Sequence, residues 1–147
     1  MKILIISPGK AHDSTVADGI AEYEKRLQKA LPLEWATPRP SDKETEGAAI
    51  VKLLKDGDCV VLLDERGRDI DTPGLAKLLD ARLQDGTKRL VLIIGGAFGV
   101  SDAVKGRASL TIKLSSLVFP HMLVRLIVAE QLYRAHSILQ GGKYHHA

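Results

Sequence analysis

Leu90-Val91-Leu92-Ile93-Ile94 runs without a polar residue into Gly95-Gly96-Ala97-Phe98-Gly99. An apolar run that lacks in/out alternation describes a strand covered on both faces, as in a parallel sheet. Glycines placed directly after it let backbone come close to a ligand. In open parallel sheets, ligands sit beyond the carboxyl ends of the strands. The spacing Gly-Gly-x-x-Gly fits neither the dinucleotide fingerprint nor a phosphate-binding P-loop, and it follows a late strand rather than the first. A structural turn and a ligand-facing loop both suit it.

Outward from this stretch the same alternation repeats. Lys2–Ile6 reads as a strand stopped by Ser7-Pro8-Gly9, and Cys59–Leu63 as a second doubly buried strand followed by a charged loop over 64–71. Leu33–Thr37 and residues 109–115 supply further strands. Between them lie helical patterns. Asp13 or Ser14 caps one through Val16, Ile20, Tyr23, Leu27 and Leu31. Ser41-Asp42-Lys43-Glu44 has capping-box spacing before Ile50, Leu53 and Leu54. Thr72-Pro73 reads as a cap with an N1 proline before Leu75, Leu78, Leu79 and Leu83. A short helix over 101–106 and a long one from Pro120 to Leu139 complete the chain. The fold class is therefore α/β, a mostly parallel sheet with helices on both faces. No linker, repeat or low-complexity tract interrupts it, so residues 1–147 read as one domain.

The composition agrees. A chain of 147 residues with 45% hydrophobic and 27% charged side chains can bury a core of its own, which excludes wholesale disorder. The single Cys59 excludes an intrachain disulfide and a cysteine metal site. No apolar run nears the roughly 20 residues of a membrane span, and Ile3–Ile6 is too short for a signal peptide. The expectation is a cytoplasmic protein without membrane contact. Net charge is +3, unevenly placed: residues 1–100 hold 15 basic and 16 acidic side chains, residues 101–147 six and two. A polyanionic partner at the C-terminal end would account for that, as would chance.

The last helix is apolar on two flanks. His121, Arg125, Ala129, Leu132 and His136 share one stripe, while Glu130, Arg134 and Ser137 lie opposite. Glu130 and Arg134 have ion-pair spacing. In so small a domain, two apolar flanks call for a partner, by default a second copy in a C2 homodimer.

Three other features bear on chemistry. Asp64-Glu65-Arg66-Gly67 leaves the same sheet edge as the glycine cluster. Leu114–His121 joins a strand to a helix whose free backbone N–H groups face outward. The tail Tyr144-His145-His146-Ala147 either frays or lies over a site with Tyr144 free to stack on a base. Neither a zinc-type spacing nor a nucleophile beside a base is found, so hydrolase chemistry is disfavoured.

Taken in order, Leu62-Leu63-Asp64-Glu65-Arg66-Gly67, Ile93 to Gly99, Leu114-Ser115-Ser116-Leu117-Val118-Phe119-Pro120-His121, Leu123-Val124-Arg125, Glu130-Gln131-Leu132-Tyr133-Arg134-Ala135 and Tyr144-His145 form one long string. It resembles the bacterial large-subunit ribosomal RNA pseudouridine-N3 methyltransferases, minimal members of the SPOUT superfamily, over essentially the whole chain. The resemblance implies a trefoil knot in the C-terminal half, against the general rarity of knots. It also implies a homodimer whose sites are completed across the interface. S-adenosylmethionine is the implied methyl donor, held without metal by Leu63, Gly95, Leu114, Ser115, Ser116, Leu117, Val118 and Phe119. The implied substrate is 23S ribosomal RNA within the ribosome, which suits a chain with little basic surface. His121, Arg125, Arg134, Tyr144 and His145 would surround the base and its phosphate. His145 is the first choice for assisting proton loss on chemistry alone, and Glu130 is read as holding Arg134.

Two departures bear on substrate affinity rather than on fold. The chain ends His146-Ala147 where the family often has a basic residue after Tyr-His, and His136 stands where some relatives carry an aromatic ring. A non-catalytic ribosome-associated or nucleotide-binding α/β module, and a SPOUT enzyme acting on another RNA such as tRNA, are the competing readings.

Overall fold

The structure is a computed structural model and describes residues 1–96 and 98–146. Ala97 of the glycine cluster and Ala147 of the tail lie outside the described residues. Five strands, β1 (Lys2–Ile6), β2 (Leu33–Ala36), β3 (Cys59–Asp69), β4 (Arg89–Ile94) and β5 (Leu110–Lys113), form one sheet in the order β2-β1-β4-β3-β5. Every neighbouring pair is parallel. Five helices connect or follow them: α1 (Ser14–Leu27), α2 (Lys43–Leu53), α3 (Thr72–Gln84), α4 (Asp102–Arg107) and α5 (His121–Leu139).

The pleat divides the apolar runs between two cores. Ile3, Ile5, Val61, Leu90 and Leu92 face Leu27, Leu79, Val128 and Leu132, so α1, α3 and α5 cover one face. Leu4, Ile6, Val60, Leu62, Val91 and Ile93 face Ile50 and Val104, so α2 and α4 cover the other. This two-sided burial is why the strands read as continuous apolar runs.

Several local expectations are corrected. The charged segment after Leu63 is not a loop, because β3 continues to Asp69. Leu63 and Arg68 both pair with Ile112, and the four residues between them are extruded as a bulge. Caps fall one residue from where the motifs placed them. Asp42, not Ser41, accepts from the Thr45 amide at 2.9 Å, and Asp71, not Thr72, accepts from the Gly74 amide at 2.8 Å. The carboxylate wins in both cases as the stronger acceptor for an orphan N–H. Asp13 caps α1. β5 ends at Lys113, two residues early, so Leu114 and Ser115 belong to the connection into α5. Ser137 is buried, and the tail turns back beside it, where the Gly142 amide donates to the Ser137 carbonyl at 2.9 Å.

Candidate functional site

Parallel register brings the carboxyl ends of the central strands level. Leu63 pairs with both Ile94 and Ile112, so Asp64, Gly95 and the chain after Lys113 emerge together. They enclose a cleft of about 820 Å³ lined by Leu63 to Arg66, Ile94 to Gly96, Phe98 to Val100, Lys113 to Phe119 and Val124. All eight residues assigned from sequence to the methyl donor lie on its wall: Leu63, Gly95 and the run Leu114–Phe119. Asp64, Glu65, Arg66, Gly96 and Lys113 are additions. The wall is rich in backbone, because two of its segments are glycine turns or extended chain. Gly99 has φ +80°, a conformation that favours glycine, and its amide donates to the Gly96 carbonyl at 3.0 Å. Behind Gly96 stands the buried carboxylate of Glu46, and a Cβ on Gly96 would come within 2.6 Å of its Oε1. Leu117 and Val118 project, 72% and 92% exposed. A second, more apolar cavity of about 410 Å³ shares Leu63, Leu114, Ser115 and Phe119 and runs back between α3 and α5.

The five residues assigned to the base fall into two groups, and none lines the cleft. At the start of α5, Arg125 is wholly buried. It donates from Nε to Ser7 Oγ at 2.9 Å, from Nη1 to the Lys10 carbonyl at 2.8 Å, and from Nη2 to the Ser7 carbonyl at 3.2 Å. The guanidinium thus fastens the first βα turn, where Gly9 has φ +135° and a Cβ would meet Nη2 at 3.2 Å. Ser7 Oγ accepts from Arg125 and also lies 2.8 Å from His121 Nε2. The His121 pKa is pushed down, first by burial and then by the charge of Arg125.

The second group lies near the far end of α5. Arg134 grips Glu130 Oε1 through Nε at 2.8 Å and Nη2 at 2.6 Å. It lays its guanidinium over the Tyr144 ring at 4.7 Å and donates from Nη1 to His145 Nδ1 at 3.4 Å. Gln131 Nε2 donates to the other Glu130 oxygen at 2.8 Å, while its own oxygen accepts from Thr72 at 2.7 Å. Sequence reading gave no role to Ser7, Thr72 or Gln131. For Ser7 the available signal was its place at the carboxyl end of the first strand.

Arg125 and Arg134 are nine residues apart, which puts them half a turn out of phase and about 13 Å apart along the axis. One chain does not set both about one base.

Residues 1–145 match the family described as "Predicted SPOUT methyltransferase". The chain belongs to the SPOUT methyltransferases. Among relatives, the ribosomal RNA large subunit methyltransferase H of Geotalea daltonii is 38% identical, with 99% of this chain and 100% of that protein aligned. The protein of the same name from Ralstonia nicotianae is 40% identical over 99% of both chains. A probable methylase family protein from Haemophilus influenzae has the same fold at 13% identity, with a TM-score of 0.56 over 99% of this chain and 70% of that one.

As a SPOUT methyltransferase the chain is an enzyme, and the non-catalytic reading falls away. Among the described residues no helix is long and apolar enough to cross a membrane. Nor do three His, Cys, Asp or Glu gather to hold a metal.

Proposed function

We propose that this SPOUT methyltransferase transfers a methyl group from S-adenosylmethionine to N3 of a pseudouridine in 23S ribosomal RNA, in the cytoplasm, on the assembled ribosome. The observation that carries the reading is the convergence of Leu63, Gly95 and Leu114–Phe119 on one cleft at the sheet's carboxyl edge. The relatives named as large-subunit ribosomal RNA methyltransferases supply the substrate class.

The cleft suits such a donor. Its volume falls within the range of about 300–1,000 Å³ usual for nucleotide-sized ligands. Apolar Leu63 and Phe119 offer a face for an adenine ring, and Gly95 and Gly96 admit close approach of backbone N–H and C=O groups to its edge. S-adenosylmethionine supplies, when bound, an electrophilic methyl group on a sulfonium. The chain must hold N3 in line with that methyl and help the N3 proton leave. In this reading Arg134 binds the phosphate, Tyr144 stacks on the base, and His145 meets the base edge and assists loss of the N3 proton.

The working unit in this reading is a homodimer. Arg134, Tyr144 and His145 lie off the cleft of their own chain and would complete the cleft of a second copy. Support comes from α5, whose Leu123 is exposed and whose Met122, Leu126 and Ile127 are only half-buried. The trefoil knot implied by the sequence resemblance belongs to the same proposal.

The test is transfer of labelled methyl from S-adenosylmethionine to 70S ribosomes, 50S subunits and bulk tRNA from cells lacking the modification. Label in the large-subunit RNA, lost when the pseudouridine is replaced by uridine, is the expected result. Label on tRNA alone, or on no RNA, refutes the substrate assignment.

A further inference from the structure

Tyr23 lies on α1, far from the cleft, yet its Oη is 3.2 Å from the Oη of Tyr144 in the tail. The direction of that bond follows from the neighbours. Tyr144 has one phenolic proton and donates it to Glu130 Oε1 at 3.2 Å, since a carboxylate can only accept. Tyr23 therefore donates to Tyr144, and a relay Tyr23 to Tyr144 to Glu130 closes the tail onto α1 and α5.

Packing reinforces the relay. Tyr133 meets the Tyr144 ring edge-on at 4.8 Å and the Tyr23 ring at 5.8 Å. Arg26 covers Tyr133 at 5.2 Å and Tyr23 at 5.8 Å, so the three rings are held between Arg26 and Arg134. A tail after Gly141-Gly142 has little backbone preference of its own. Where Tyr144 and His145 stand is thus decided by side chains of α1 and α5.

We infer that Tyr23 is a positioning residue for the methyl transfer, acting through Tyr144 to hold the His145 end of the tail in its working place. This rests on the tail's role given under Proposed function. The Tyr144 phenol is pushed up to about 12. Tyr144 stays a neutral donor throughout the physiological range and does not serve as base.

The test is Tyr23→Phe, which deletes one hydroxyl and keeps the ring. In the full-length protein, trypsin cleavage after Lys143 is expected to quicken. kcat/KM for ribosomes lacking the modification should fall roughly three- to tenfold, the size of one hydrogen bond. S-adenosylmethionine affinity and thermal midpoint should stay at wild-type values. In a Tyr144→Phe background the same substitution should add no further loss. Unchanged cleavage and kcat/KM overturn the inference, as does additivity in the double variant. Parallel loss of donor affinity and thermal stability overturns it too, because that marks a general packing role. If the wild-type enzyme methylates no ribosomal RNA, the substrate reading fails separately, and the cleavage rate still decides whether Tyr23 docks the tail.

Discussion

Ser7 Oγ lies 2.8 Å from Nε2 of His121 and accepts from Nε of Arg125 at 2.9 Å. Burial, and then the charge of that guanidinium, push the His121 pKa down. His12, 3.3 Å from Arg125 Nη1, is held low by burial and then by the same charge, and His136 by burial alone.

Stability should therefore depend on pH with a definite sign. Each of these histidines has a folded pKa below its ordinary value of 6.5, so on acidification the unfolded chain binds protons first. The stabilisation is fully present above about 6.5 and is lost as pH falls from there through the folded values. Asp42, held low by the Thr45 amide, and Asp85, held low by the Thr87 hydroxyl, give up theirs only near and below their ordinary 3.8. Urea unfolding is expected to show a midpoint that is flat from pH 7 to 8.5 and falls between pH 6.5 and 5. In Ser7→Ala, which frees His121 Nε2, that fall should be shallower, alongside a loss of about 1–3 kcal/mol at pH 7.5 from the unpaired Arg125 donor. A midpoint rising on acidification would contradict the lowered pKa values of these histidines.

Much of the fold was legible because Ile3–Ile6, Cys59–Leu63 and Leu90–Ile94 of β1, β3 and β4 are covered on both faces and carry no polar interruption. Cap positions shifted because Ser41 beside Asp42, and Thr72 after Asp71, offer two acceptors for one amide, and spacing does not say which wins. The β3 bulge was hidden because 64–69 has the composition of a solvent loop, while its pairing is set by β5, which lies more than 40 residues on. For the site, the cleft wall was legible because it is one contiguous loop and one glycine after a strand. The Ser7–Arg125 and Tyr23–Tyr144 contacts join residues 118 and 121 positions apart, and local pattern has no access to those.

Gly67 tests the bulge. A Cβ there would stand 2.5 Å from the Ile112 carbonyl carbon and 2.7 Å from its Cα, backbone atoms that cannot turn aside. Gly67→Ala should separate β3 from β5 or displace the 64–67 segment. Because Asp64, Glu65 and Arg66 wall the cleft, both stability and donor binding should drop, with stability lower by about 1–3 kcal/mol as for an overpacked core. Calorimetric unfolding together with titration of S-adenosylmethionine would show whether the two fall together. A Gly67→Ala protein with wild-type stability and binding would mean that β5 does not pass so close.

Gly95 separates fold from cleft. Its backbone angle is open to other residues, and a Cβ would meet Val100 Cγ1 at 3.1 Å, a methyl group able to give, with the Gly99 carbonyl carbon at an ordinary 3.9 Å. Gly95→Val should thus fold at modest cost, while its branched side chain occupies the space through which backbone would reach the methyl donor. Calorimetric titration should find S-adenosylmethionine binding weakened at least tenfold, about 1.4 kcal/mol or more. Full affinity in a folded Gly95→Val protein would place the donor elsewhere than this cleft.

Glu130 distinguishes an organising carboxylate from a base. Both its oxygens are engaged, one by Arg134 and Tyr144 and the other by Gln131, as suits a carboxylate that holds other side chains in place. Glu130→Gln keeps the shape and removes the charge. Arg134 loses its ion pair, Tyr144 must share its proton with a neutral amide oxygen, and the tail loosens without leaving. Methyl transfer is expected to fall by roughly ten- to a hundredfold, the worth of a charge-assisted contact of about 1.5–3 kcal/mol. The pH–rate profile should keep its wild-type shape, because the titrating group of the reaction lies elsewhere. Loss of the acidic limb of that profile in Glu130→Gln would instead make Glu130 the proton acceptor, and the Arg134 pairing would then be the resting state of a base.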